Sequence, residues 1–280
     1  MIAKNTKRKV YGTTLSYIFL VALGVTFLLP FIVLLSTSFK SDVEIFDIQF
    51  HIIPHVWHPE NYWDALQTIP FAHYTWNTLV ITSLSVLGEV LSCPLVAYSI
   101  TKIKWAGRKV IFAILMATML IPYQVTMIPV YIIWNKLGLM NTYVPLILPQ
   151  FFGGAFYVVI MTQFMKTLPN SLVEAAKIDG ASEFTTYSRI ILPLLKTPIA
   201  TIAIFTFMGT WSDFLGPLLY INDENAWTLS LGLQQFMSAH AVQWGQLMAA
   251  SAMFTIPSVI VFFFAQQYFV AGIVTTGIKG

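Results

Sequence analysis

Three groups of residues in this chain have types and spacings that could do chemistry. His51, His55 and His58 lie close to Glu60, a set that could hold a metal. A metal site needs converging ligands. Pro54 and Pro59 break any helix that would align these residues, and no second ligand cluster stands out. The stretch therefore reads as a solvent-facing loop, and no metal is assigned. Glu89 stands inside a long apolar run, where a carboxyl group is costly and usually faces a bundle interior. It is either a polar contact near a translocation path or a hydrogen-bonded packing residue. Asp213 closes the triplet Trp211-Ser212-Asp213, just before Gly216-Pro217. Sugars stack their C–H faces on aromatic rings and hydrogen-bond at their edges, so this triplet could face a sugar. Its other reading is an aromatic anchor at the outer interface with a solvated aspartate. Pro122-Tyr123-Gln124, with Pro129 beyond, suggests a bent helix lining a path or simply kinked packing. Hydrolytic chemistry finds no support: there is no Gly-Lys pair for a phosphate loop, no H-E-x-x-H and no G-x-S-x-G. No catalytic residue is assigned.

The elements that would position these residues can be read from composition. Of 280 residues 57% are hydrophobic and 10% charged, whereas soluble domains are about 25% charged. The chain reads as an all-α integral membrane protein, one transmembrane domain over 1–280. Apolar runs place spans at about 15–36, 76–100, 110–134, 143–164, 198–220 and 245–270, each near or beyond the roughly 20 residues that cross a bilayer. The basic start and the long first run point to a retained helix rather than a cleaved leader. Cys93 is the only cysteine, so no intramolecular disulfide can form.

Basic residues orient the chain. With six spans both termini share a side, which receives all of the 15 basic residues except Lys40 and Lys136. That side is the cytoplasm, and it includes the polar loop 166–197. Within this loop Ser171 and Glu174 have the spacing of a capping box. Ala175 and Ala176 favour helix. Asp179-Gly180 is a turn dipeptide, and Ser182 can cap a second helix that ends by Leu192, before Pro193. Two short helices joined at Gly180 would make a knob suited to docking on another protein.

Glu174-Ala175-Ala176, then Asp179-Gly180-Ala181, then Ile190 and Leu192-Pro193 resemble the EAA loop of ABC-importer permeases. The likeness covers almost the whole chain. Ala97-Tyr98-Ser99, Ile121-Pro122, Asn141-Thr142-Tyr143, Trp211–Leu218 and Gln267-Tyr268-Phe269 are similar to the carbohydrate-uptake, maltose-type subfamily and to its smaller permease; that subfamily more often has Asn where Ser212 stands. The resemblance implies a type I importer transmembrane domain paired with a second, larger permease. It also implies two cytoplasmic ATPase subunits that carry ATP and Mg, and an extracytoplasmic solute-binding protein. This chain itself would hold no cofactor, bind no nucleic acid and sit in the bacterial inner membrane. Glu174, Ala175, Ala176, Asp179, Gly180 and Ala181 would couple it to the ATPases, and the tail Thr275–Gly280 would pack at that interface. Trp211, Ser212, Asp213, Tyr123 and Gln124 are candidates for the translocation path. Glu89 inherits no role. The competing classes are an ion-coupled secondary transporter using Glu89 or Asp213, and a membrane enzyme using the loop histidines.

Overall fold

The computed structural model describes residues 2–49, 51–237 and 242–276. Their secondary structure is helical apart from one isolated bridge, Met237 to Val242. The main helices are α1 (Ile2–Ser38), α2 (Phe71–Thr101), α3 (Arg108–Thr118), α4 (Tyr123–Lys136), α5 (Ala155–Thr167), α6 (Ser171–Ile178), α7 (Lys196–Trp211), α8 (Leu215–Tyr220) and α9 (Trp244–Thr276). Among the described residues four stretches are long and apolar enough to cross a membrane: Ser16–Ser38, Phe71–Thr101, Val144–Thr167 and Trp244–Gln266. Two bent pairs raise the number to six if each crosses once: α3 with α4 at 103°, and Glu183–Leu194 with α7 at 77°.

Both bends have a backbone cause. Pro122 has an extended ψ of 139° and no N–H, so it ends the turn after α3 and starts α4 afresh. Pro193 cannot serve the carbonyl four residues back. The chain answers with a π-helical turn over Thr186–Ile191 before the helix breaks at Leu195. Helix therefore continues past Leu192 through Pro193 to Leu194, two residues beyond the expected stop.

The chain divides into two compact units, residues 1–70 with 233–255, and residues 71–232 with 256–280. In the first, Asn61 donates to the Ser38 and Lys40 carbonyls at 3.0 and 2.9 Å, and Lys40 donates to the His51 carbonyl. The His51 and His55 rings meet edge-on at 4.3 Å, and His58 pairs with Glu60 at 2.6 Å. Among the described residues no three His, Cys, Asp or Glu side chains converge on a metal position.

The second unit is built on α2. Cys93, Ala97 and Tyr98 pack with Val158, Met161 and Met165 of α5, and the cluster continues into Val173, Tyr187 and Ile202. Between lipid-exposed helices such close packing, rather than the expulsion of water, holds the bundle. Glu89 is completely buried. Its carboxyl group accepts the Gly154 N–H at 3.1 and 3.0 Å and the Cys93 thiol at 2.7 Å. Glu89 thus satisfies a backbone donor at the start of α5, which is the hydrogen-bonded packing reading. Gly154 is required by this approach, since a Cβ there would lie 2.7 Å from Glu89 Oε1. Glu89→Leu should therefore orphan a buried N–H, at about 1–3 kcal/mol, while Glu89→Gln keeps an acceptor. Thermal unfolding of the two purified variants checks this, with the leucine variant melting lower.

Candidate functional site

The polar loop folds as a knob with a defined inside and outside. In α6, Val173 and Ala176 are buried, while Glu174, Ala175 and Asp179 are exposed. The capping box does not form: Ser171 is already the first helical residue, and Asn170 holds the cap position without a side-chain bond to the helix. Asn170, which takes the cap position instead, is engaged by a residue distant in sequence. Asn170 Oδ1 is taken by Lys102 Nζ at 3.0 Å, so the cap oxygen is turned away. Glu174, freed from a capping role, points outward.

The C-terminal end of α6 closes by a Schellman pattern. Gly180 N–H donates to the Lys177 carbonyl at 3.1 Å, and Ala181 N–H donates to the Ala176 carbonyl at 2.9 Å. Gly180 sits at φ +77°, a left-handed backbone that suits glycine. Ser182 then caps the next turn, accepting from Thr185 N–H at 3.1 Å. This geometry leaves two large apolar side chains, Ile178 and Phe184, 86% and 72% exposed at the tip.

Two contacts fasten the knob to the end of α2. Glu183 accepts from Lys177 Nζ at 2.6 Å and from the Tyr98 hydroxyl at 2.9 Å. Lys102 donates to the Leu168 carbonyl at 2.7 Å as well as to Asn170. Lys177 first, then Tyr98, holds the Glu183 carboxyl below its usual range. A depressed carboxylate stabilises the fold above its unfolded value and loses that contribution as pH falls through the lower folded one. The clasp is therefore intact at neutral pH and opens only in acid. Burial lowers Lys102 from its ordinary value. Reasoning from sequence alone does not bring Tyr98, Lys102 and Glu183 together: Tyr98 enters only through the Ala97-Tyr98-Ser99 likeness, and the other signal is opposite charge on either side of the Asp179-Gly180 turn. The Lys177–Glu183 pair is half exposed, so it contributes less than about 1 kcal/mol. Lys177→Gln, which removes the pair without adding a like charge, should weaken coupling by no more than about fivefold. The double change Lys177→Glu with Glu183→Lys should restore the ion pair but not the Tyr98 contact, so sugar moved per ATP hydrolysed should recover only in part.

The path candidates separate in space. Asp213 lines a half-open cavity of about 210 Å³ together with Gln150, Tyr157 and Thr206. Trp211, Ser212, Tyr123 and Gln124 do not line it. Trp211 is 1% exposed and stacks on Phe207 at 5.6 Å and 10°, so its ring face is covered. Ser212 turns its hydroxyl back to the Met208 carbonyl at 2.7 Å. Tyr123 and Gln124 are exposed at the start of α4, Tyr123 beside Tyr220. Asp213 Oδ1 accepts from Gly216 N–H at 3.0 Å, which sets the turn into α8. The tail beyond residue 276 lies outside the described residues.

Residues 93–275 match the family model described as "Binding-protein-dependent transport system inner membrane component". The chain belongs to that family. Over its whole length this permease is 31% identical to the probable ABC transporter permease protein YurM of Bacillus subtilis, covering 93% of that protein. It is 34% identical to the multiple sugar-binding transport system permease protein MsmG of Streptococcus mutans, over 94% of this chain and 96% of the relative. Its fold matches a chain of a bacterial ABC transporter involved in the import of the acidic polysaccharide alginate. There the TM-score is 0.80 at 22% identity, covering 93% of this chain and 97% of the other. The type I importer transmembrane fold expected from the sequence is the one observed. Nothing in these matches supports an ion-coupled transporter.

Proposed function

We propose that this permease moves a sugar, an oligosaccharide or disaccharide, into the cytoplasm as the smaller of two non-identical permeases. Two ATPase subunits carrying ATP and Mg would drive it, and an extracytoplasmic binding protein would deliver the cargo. The observation that carries this reading is the knob, with Ile178 and Phe184 bare at its tip and Glu174 exposed on the same α6 turn system. Large apolar side chains held out by a rigid turn suit burial against a partner protein. Glu174, Ala175, Ala176, Asp179, Gly180 and Ala181 supply the shape of that knob, and Glu174 can meet a basic residue of the ATPase. Charge asymmetry supports a cytoplasmic loop and cytoplasmic termini, on the side where ATP is available. The names of the sugar permeases among its relatives support the cargo class.

The test is reconstitution with the second permease, the ATPase pair and the binding protein encoded beside it. ATP-dependent accumulation of an oligosaccharide, lost when the ATPase cannot hydrolyse, is the expected result. Uptake by this chain alone under a proton or sodium gradient would overturn it.

A further inference from the structure

We propose that the cavity beside Asp213 is a subsite for one ring of an uncharged sugar, and that its lining favours neutral over anionic saccharides. The proposal rests on the sugar-permease reading and goes beyond it by naming the site and the charge class of its ligand.

The first observation is Thr206. It is 3% exposed on α7, lines the cavity, and its hydroxyl makes no well-formed hydrogen bond. Its polar neighbour is the Tyr157 hydroxyl, in a weak contact that falls short of good hydrogen-bond geometry. One turn and a half earlier on the same helix, Thr201 shows the usual local solution, its hydroxyl donating to the Thr197 carbonyl at 3.1 Å. Leaving a buried hydroxyl unmade costs about 1–3 kcal/mol, so the position favours a hydrogen-bonding occupant. Thr78 on the facing α2 is already engaged, donating to the Tyr74 carbonyl and accepting from Leu229 N–H, both at 2.8 Å.

The second observation is the chemistry of the remaining wall. Gln150 can donate and accept, Tyr157 and Thr210 bring hydroxyls, and Asp213 brings a carboxyl group. Among the described residues no lysine or arginine lines the cavity. An anionic ring would find no cation among these residues to pair with, and burying an unpaired charge is far costlier than burying a hydroxyl. Neutral sugar hydroxyls can instead donate to Asp213 and exchange hydrogen bonds with Gln150 and Thr206. Ile81, Leu146 and Pro217 supply apolar wall for the C–H face of a ring. At about 210 Å³ the cavity is smaller than pockets for drug-sized ligands, which run roughly 300–1,000 Å³, so one ring fits rather than a whole oligosaccharide. A cluster of water is the competing occupant.

The test uses the assembled transporter in nanodiscs, with Thr206→Cys labelled by a small neutral methanethiosulfonate; the unsubstituted chain, whose Cys93 is buried, gives the background. Maltotriose, xylotriose and arabinotriose are the neutral probes, and trigalacturonate is the anionic one. At least one neutral probe should slow labelling several-fold and trigalacturonate should not, with Gln150→Leu removing the protection. Equal protection by trigalacturonate, labelling that no sugar changes, or no labelling at all would overturn the proposal. A second arm covers misfolding of the cysteine variant. For whichever sugar is taken up with ATP, Thr206→Val should raise KM at least fivefold with ATPase attachment unchanged, and Thr206→Ser should restore it. Unchanged KM in Thr206→Val overturns the subsite while the sugar function stands. Failure of every sugar to move with ATP overturns the reading beneath it.

Discussion

Replacing Gly180 by valine is expected to cut ATP-driven uptake about tenfold or more, while the chain still inserts and holds its second permease. Gly180→Asn should keep most of the activity. No atom lies within 4 Å of the Cβ that a substitution would add, so contact with neighbours in this chain is not the issue. The issue is φ, at +77°. A left-handed backbone costs an ordinary residue about 1–2 kcal/mol and a β-branched one more, whereas Asn visits it readily. That range corresponds to about five- to thirtyfold in an equilibrium, and the β-branched valine lies towards or beyond its upper end. Relieving it undoes the hydrogen bonds that Gly180 and Ala181 make to the end of α6, and with them the placing of Ile178 and Phe184. Uptake in proteoliposomes, measured beside integration of the chain into membranes, separates the two effects. Wild-type uptake by the valine variant would show that the knob's conformation transmits nothing.

Trp211→Ala is expected to act on folding rather than on the sugar. A fully buried ring lost to alanine costs about 3–5 kcal/mol in protein interiors, with about 0.5–1.5 more where an aromatic pair is broken. Within a bundle in lipid much of this is lost packing rather than transfer from water. Since the ring is stacked on Phe207 and does not line the cavity, the protein that survives should keep its KM for the transported sugar. Trp211→Phe should recover most of the yield. The measurements are the amount of assembled transporter after detergent extraction and the KM of what remains. A raised KM at normal yield would place this ring on the path.

These two residues also show what a sequence can and cannot convey. Gly180 is legible because turn chemistry is local: Asp179-Gly180 demands a left-handed residue, and Ser182 two positions on caps the next helical turn. The capping box at Ser171 and Glu174 is locally just as persuasive, yet it does not form. Lys102, 68 residues before Asn170, claims the cap oxygen, and no local pattern announces that. The backbone partner of Glu89 is likewise 65 residues away, at Gly154. The positions of the breaks near Pro122 and Pro193 can be read from the prolines, but the angles of 103° and 77° depend on what the two arms pack against. Trp211 and Thr206 are obscured for a different reason. A helix apolar on all sides gives no stripe to separate lipid from interior, so a buried ring and a cavity-facing hydroxyl look like any other residues of the run.

If the α6 knob faces the cytoplasm and seats into a separate ATPase, its tip must be reachable from that side alone and covered once the ATPase binds. Ile178→Cys tests this most directly, because the side chain is 86% exposed at the tip while Cys93 is buried. A membrane-impermeant maleimide should label this variant in inside-out vesicles and leave it unlabelled in intact cells. Addition of the ATPase subunits should then protect it. Labelling from the outer side, or labelling that the bound ATPase leaves unchanged, would contradict the account.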